Sequence, residues 1–198
     1  MKKTRERIVR KAFQVFSKKG YDGTRMEDIS RAARINKATI YYYFEGKREL
    51  YKEVLYVQAK RIIPQIMEAI SGPEEVENKL SRIVEVYLSF LESNPDVFKL
   101  YMREVCSGGR HLRDVLRRLM KEYPFLRQGG LAGKYEELGL TGKFSFDPVH
   151  FWLHIIGMSF AHFMMKPFIE VVYQMEVDEK FIAERKRSIV EFVEKAVS

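Results

Sequence analysis

Three tyrosines in a row, Tyr41, Tyr42 and Tyr43, follow Lys37, Ala38 and Thr39. Neighbours on a helix sit ~100° apart, so three successive phenols cannot all face one core and at least one is exposed. A phenol presented from a helix hydrogen-bonds a phosphate oxygen or packs against a thymine methyl. His150 and His154 stand one helical turn apart, a spacing that can bind a metal, but no third ligand accompanies them. A polar contact or an ordinary buried histidine is the plainer reading. Gly157-Met-Ser159-Phe-Ala161 has the outline of a nucleophile elbow without its last glycine, and it lies in mid-helix rather than at a strand-to-helix turn. Gly129 to Lys134 misses the spacing of a phosphate loop and is followed by Tyr135, not Ser or Thr.

Composition narrows the choice. Of the 198 residues, 46% are hydrophobic, which is a globular share, and a single cysteine, Cys106, rules out an intrachain disulfide framework and any multi-cysteine zinc site. Met1, Lys2 and Lys3 are followed by charged residues where the apolar core of an export signal would stand. The longest apolar stretch, Phe151 to Met165, is interrupted by His154 and His162 and is shorter than the ~20 residues needed to cross a bilayer. These features predict a cytoplasmic protein with no membrane partner. Charge is unevenly placed: residues 1–61 carry 17 Lys and Arg against 7 Asp and Glu, the remainder 18 against 20. A basic end joined to a near-neutral one suggests a polyanion partner for the first part, through phosphate attraction and counterion release.

Strand signals are scarce, and apolar residues recur at spacings of three and four, so the chain reads as all-α. A first helix over about 5–18 places Ile8, Val9, Ala12, Phe13 and Phe16 on one face, and Gly20 stops it. Thr24 and Glu27 have the spacing of a capping box, which starts a short helix at Arg25 burying Met26, Ile29, Ala32 and Ala33. Asn36 is an N-cap for a third helix over Lys37 to Phe44, with Ile40 and Phe44 inward. Phe13, Phe16, Ile29, Ala33, Ile40 and Phe44 form the shared core. Gly46 precedes a long fourth helix from Lys47, kinked at Pro64. Further helix starts are marked at Gly72 and Pro73, Asn94 and Pro95, Asp147 and Pro148 (through Met165), and Asp178. Between Pro124 and Asp147, glycines at 129, 130, 133, 139 and 142 mark the expected mobile segment.

The second and third helices have the lengths and spacing of a helix-turn-helix, whose second element lies in the DNA major groove. From Arg5 to Leu50 the sequence resembles the TetR (tetracycline repressor) family of bacterial regulators. The runs A-F-Q-V-F-S-K-K-G-Y, T-R-M-E-D-I-S-R-A-A and I-N-K-A-T-I-Y-Y-Y-F-E-G-K-R-E-L-Y carry the likeness. The resemblance implies that Lys37, Ala38 and Tyr41 touch base edges and that Thr24, Thr39, Tyr42 and Lys47 hold phosphates, with Arg25 also among the DNA-binding residues. Thr24 and Thr39 stand at helix N-termini, where free N–H groups and the dipole favour an anion. Arg34 departs from the family, whose turn usually carries glycine. A left-handed backbone costs a non-glycine residue roughly 1–2 kcal/mol there.

The resemblance implies an N-terminal DNA-binding domain at 1–46 and a helical ligand-binding and dimerisation domain at 47–198. Two copies would pair through the last two helices, with Phe181, Ile182, Ile189, Val190, Phe192 and Val193 on the final one. Gly157 and Ala161, four apart, permit close approach. Candidates for lining an apolar pocket are Tyr87, Phe90, Leu91, Phe98, Tyr101, Met102, Leu116, Met120, Trp152, Ile155 and Met164, because aromatic and methionine side chains suit a bulky apolar or amphipathic effector. The expected function is a non-enzymatic homodimeric repressor that binds a palindromic double-stranded operator and is released by that effector, with no cofactor or metal. The alternatives are a DNA-binding regulator without an effector and a metal-dependent helical enzyme using His150 and His154.

Overall fold

A computed structural model of the chain describes residues 2–72, 75–138, 140–142 and 147–197. Among them are helices and turns but no strand, in agreement with the all-α reading. In order the helices are α1 (Lys2–Lys19), α2 (Met26–Ala33), α3 (Lys37–Tyr43), α4 (Lys47–Ser71), α5 (Val76–Ser93), α6 (Pro95–Cys106), α7 (Arg110–Glu122), α8 (Pro124–Arg127), α9 (Pro148–Val172) and α10 (Glu179–Val197). Pro73 and Gly139 lie outside the described residues.

The chain forms two compact bodies. The first comprises residues 1–63 and 91–122, the second 64–90 and 123–198, so the divisions fall within α4, within α5 and after α7. In the first body, α1 contributes Ile8, Val9, Ala12 and Phe16, α2 Met26, Ile29 and Ala33, and α3 Ile40, all buried with Phe44. Phe13, expected in this core, is only half-buried. It lines an open groove with Val9, Arg10 and Val57 instead, being one step round α1 from Ala12. Helix α4 runs from Lys47 through Pro64 to Ser71, and α7 packs through His111, Val115 and Leu119.

In the second body the inner face of α9 is Phe151, Trp152, Ile155, Ser159 and His162, at helical spacing of three and four. Asp147 caps the helix by accepting the Val149 N–H at 2.8 Å. α9 runs seven residues beyond Met165, through Pro167, to Val172. At 25 residues, and mean hydropathy 1.4 over its most apolar window, it is long and apolar enough to cross a membrane, which corrects the shorter stretch read from sequence. Asp178 caps α10 through the Phe181 N–H at 2.8 Å, and Ile189 and Val193 face inward. The glycine-rich segment is partly anchored. Phe125, Tyr135, Leu138 and Leu140 are buried, and the Tyr135 ring meets Phe151 edge-on at 6.4 Å.

Candidate nucleic-acid interface

Helix α1 stops where Gly20 takes φ +73° and its N–H donates to the Phe16 carbonyl at 2.8 Å. The turn after it works differently from the capping box predicted. Thr24 is buried, and its hydroxyl donates to the Gly20 carbonyl at 2.6 Å. The N-cap position passes to Arg25, whose N–H donates to the Asp28 carboxylate at 3.0 Å, so Asp28 rather than Glu27 closes the box. A side chain so enclosed offers no hydroxyl to a phosphate. Thr24 therefore leaves the phosphate-holding set, while Arg25 is exposed at the same helix end.

The turn between α2 and α3 takes a left-handed backbone at a residue other than glycine. Arg34 adopts φ 52° and ψ 51°, in the left-handed region. Its N–H donates to Arg31 and that of Ile35 to Ser30, both at 3.2 Å, while the Ser30 hydroxyl returns to the Ile35 carbonyl at 2.6 Å. Asn36 then caps α3 by accepting the Ala38 N–H at 2.9 Å. Three polar contacts thus hold a strained residue in place.

On α3 only Ile40 is buried. Ala38 is exposed, Thr39 half-buried, and Tyr41 and Tyr42 are 46% and 70% exposed. Tyr43 is half-buried with its ring edge-on to Tyr42 at 5.1 Å. Lys37, Ala38, Tyr41 and Tyr42 therefore share one short helix. The Lys37 ammonium is already engaged, bonded to the Glu27 carboxylate on α2 and 5.8 Å from the Tyr41 ring centroid. That hydrogen bond holds the Glu27 carboxyl below its ordinary value and the Lys37 ammonium above its own. Lys47 is also committed. It donates to the carbonyls of Tyr21 at 3.0 Å and Thr24 at 3.1 Å and sits 4.4 Å above the Tyr21 ring. It braces α4 against the turn before α2.

Behind this surface lies a node that sequence reading missed. Glu104, buried on α6, accepts the backbone N–H groups of His111 and Leu112 at 2.7 and 3.2 Å, and its second oxygen lies 3.1 Å from His111 Nδ1. It is the anion at the α7 N-terminus. Burial, reinforced by Glu104, pushes the Tyr51 phenol above its ordinary value. Tyr21 packs on His111 and Tyr51 at 4.4 and 4.9 Å, and Arg103 donates to the Ser17 carbonyl at 2.7 Å. Tyr21, Tyr51, Arg103, Glu104 and His111 together line a cavity of about 290 Å³. The legible signal was a glutamate shortly before Gly108-Gly109, a chain break followed by a helix start. On α4, burial pushes the Glu53 carboxyl up, but Arg118 at 2.5 Å and Arg5 at 2.9 Å outweigh it and hold it below its ordinary value.

The expected pocket residues are divided between the bodies. Leu91, Phe98, Tyr101, Met102, Leu116 and Met120 belong to the first, and Tyr87, Phe90, Trp152, Ile155 and Met164 to the second. The Tyr101 hydroxyl donates to the Leu55 carbonyl at 2.6 Å. Leu116, Met120 and Met164 are corrections. The first two point away from the His111, Val115 and Leu119 face of α7, and Met164 lies outside the inner face of α9, so all three are exposed. His150 and His154 are exposed too, and among the described residues no group of three His, Cys, Asp or Glu side chains is placed to hold a metal. Ser159 is buried and donates to the Ile155 carbonyl at 2.7 Å, back along its own helix.

A short, capped helix carrying exposed tyrosines, braced by two others across a tight turn, defines a helix-turn-helix DNA-binding protein. Residues 8–54 match the family model for bacterial regulatory proteins, tetR family. The Bacillus subtilis (strain 168) protein "Probable HTH-type transcriptional regulator YttP" is 25% identical over 90% of this chain and 86% of its own. The biofilm operon icaADBC HTH-type negative transcriptional regulator IcaR of Staphylococcus epidermidis is 43% identical over 49 residues, 25% of this chain and 26% of its own. The crystal structure of the transcriptional regulator FadR from Bacillus subtilis, in complex with stearoyl-CoA, superposes with a TM-score of 0.71 at 18% identity, covering 98% of this chain and 99% of that one. Over residues 8–54 the chain is therefore similar to the tetR family of bacterial regulatory proteins, and along its length it shares the fold of solved transcriptional regulators.

Proposed function

We propose that this regulator is a cytoplasmic homodimeric repressor whose α3 helices enter successive major grooves of a palindromic operator, about 34–36 Å apart. The observation that carries the reading is the outward face of α3, where Ala38, Tyr41 and Tyr42 stand exposed, outside the buried core of the first body. Lys37, Ala38 and Tyr41 would meet base edges, and Arg25, Thr39, Tyr42 and Lys47 phosphates. Lys47 does so only by giving up or sharing its carbonyl partners. Replacing Tyr41 or Lys37 by alanine weakens specific operator binding by ~1–3 kcal/mol each. Titration of operator DNA recovered from a random pool by the wild-type protein measures this. Unchanged affinity in both variants refutes the assignment.

Pairing through α9 and α10 is supported by apolar surface that no single protomer needs. Val149, Leu153, Ile156, Met164, Phe168 and Val171 are 37–76% exposed along α9, and Phe192 on α10 is 59% exposed. A stripe of this kind, flanked by the Lys166–Glu170 pair, suits a four-helix contact across a twofold axis.

A functional division at residue 46, which differs from the boundaries of the compact bodies, would separate DNA reading from a helical remainder that takes the effector. Tyr135 Oη, Trp152 Nε1 and both ring nitrogens of His162 are buried without hydrogen-bond partners. Such groups usually mark a water or ligand that completes them. The stearoyl-CoA bound by the FadR relative is consistent with an effector that is largely apolar and amphipathic. Release requires that the ligand bind a conformation unable to span the operator more tightly than the one that fits it.

A further inference from the structure

Glu27 is the second residue of α2 and Lys37 the first of α3, so their ion pair joins the leading ends of the two helices of the motif. In such motifs the first helix crosses the DNA backbone and the N-terminal residues of the second meet the base edges. A carboxylate at that end of α2 is carried toward phosphates, and its charge is masked chiefly by Lys37, with a lesser share from Arg25. The neighbouring acid does not take its place, because Asp28 is committed to Lys19 at 2.9 Å and to the Arg25 N–H at 3.0 Å. Glu27 and Lys37 are both accessible to solvent, with side chains 55% and 43% exposed, so the pair can open without disturbing the core.

We propose that Glu27 is a specificity determinant, an internal competitor that withholds Lys37 from non-specific phosphates and yields it only where an operator base offers a better acceptor. This rests on the reading that α3 enters the major groove. On arbitrary DNA the ammonium stays with Glu27 and releases no counterion. At the operator a guanine O6 and N7 pair takes it, because a lysine contact there is geometrically defined. Non-specific affinity is thereby held down while operator affinity is largely kept, and the ratio of the two is what selects a site in a genome.

The test uses the full-length protein with Glu27→Gln, Lys37→Gln and the double variant, on selected operator DNA and on a scrambled duplex of equal length, between about 50 and 200 mM salt. Glu27→Gln is expected to tighten binding of the dimer to the scrambled duplex by up to roughly sixtyfold at ~0.1 M salt and to steepen its log–log salt slope by ~1.8, one phosphate contact from each protomer. The operator gains less, so discrimination falls, and with Lys37→Gln already present the added Glu27→Gln leaves the slope unchanged. An unaltered slope, an equal gain on both duplexes, or the same steepening without Lys37 overturns the proposal. If Lys37→Gln itself leaves operator affinity untouched, the groove reading falls and takes the proposal with it. If Lys37→Gln weakens operator binding while Glu27→Gln does nothing, only the proposal falls.

Discussion

Arg34 holds a left-handed backbone that glycine would occupy without strain, and the contacts of Ser30, Ile35 and Asn36 pin it there. Arg34→Gly is therefore expected to stabilise the chain by about 1 kcal/mol, the steric cost less the entropy that glycine adds to the unfolded state. A rise of roughly 2–4 °C in the melting midpoint is the readout. The departure from glycine was visible in the sequence, but the response was not. The chain keeps the turn and accepts the strain, since a shifted turn would move α3. At His162, burial followed by the charge of Arg185 pushes the imidazole down to about 4. The unfolded state, titrating near the ordinary value of ~6.5, binds the proton first. Stability is therefore full above pH ~6.5 and lost as pH falls toward 4, by up to about 3 kcal/mol. Denaturant titrations at pH 7 and 4.5 should differ by this amount more in the wild type than in His162→Phe.

At the scale of elements, helices whose starts carry a side-chain cap were legible: Asn36 before α3, Asp147 before α9 and Asp178 before α10 all accept the expected backbone N–H groups. Helix α7 was not singled out, because its buried face is one histidine and two aliphatics among charges, and its capping anion, Glu104, comes from the preceding helix. Phase was the other loss. Leu116 and Met120 are apolar and were read as inward, yet only the position of α7 against its neighbours decides which side of it is covered. The exposed tyrosines needed no such context, since their run of three exceeds what one face can bury. The Lys37–Glu27 bond needed all of it, because ten residues and a strained turn separate the partners. Helix α9 offers the cleanest test at this scale. A Cβ added at Gly157 meets nothing within 4 Å in its own protomer, so Gly157→Arg spares the fold and lengthens the helix-forming run. If α9 forms the twofold contact, the variant elutes at monomer mass in gel filtration. A fully dimeric variant locates the interface elsewhere.

For the whole molecule, charge asymmetry carries the expectation. Residues 1–61 hold 17 basic side chains against 7 acidic, and the remainder is slightly acidic, so the attraction to DNA is confined to one part of the chain. Operator affinity should fall along a straight line in log salt, with a slope set by the number of phosphates neutralised by both protomers. A slope near zero in fluorescence anisotropy titrations would remove the polyanion from the account. The chain passes between the two compact bodies three times, within α4, within α5 and after Glu122 at the end of α7.

The protein has one thiol and one indole: Cys106, exposed at the end of α6 in the first body, and Trp152, enclosed on α9 in the second. Nature has in effect supplied a donor and a labelling point, one per body. A dye coupled to the thiol and excited by transfer from the indole converts any rearrangement between the bodies into a colour change, without adding or deleting a single residue.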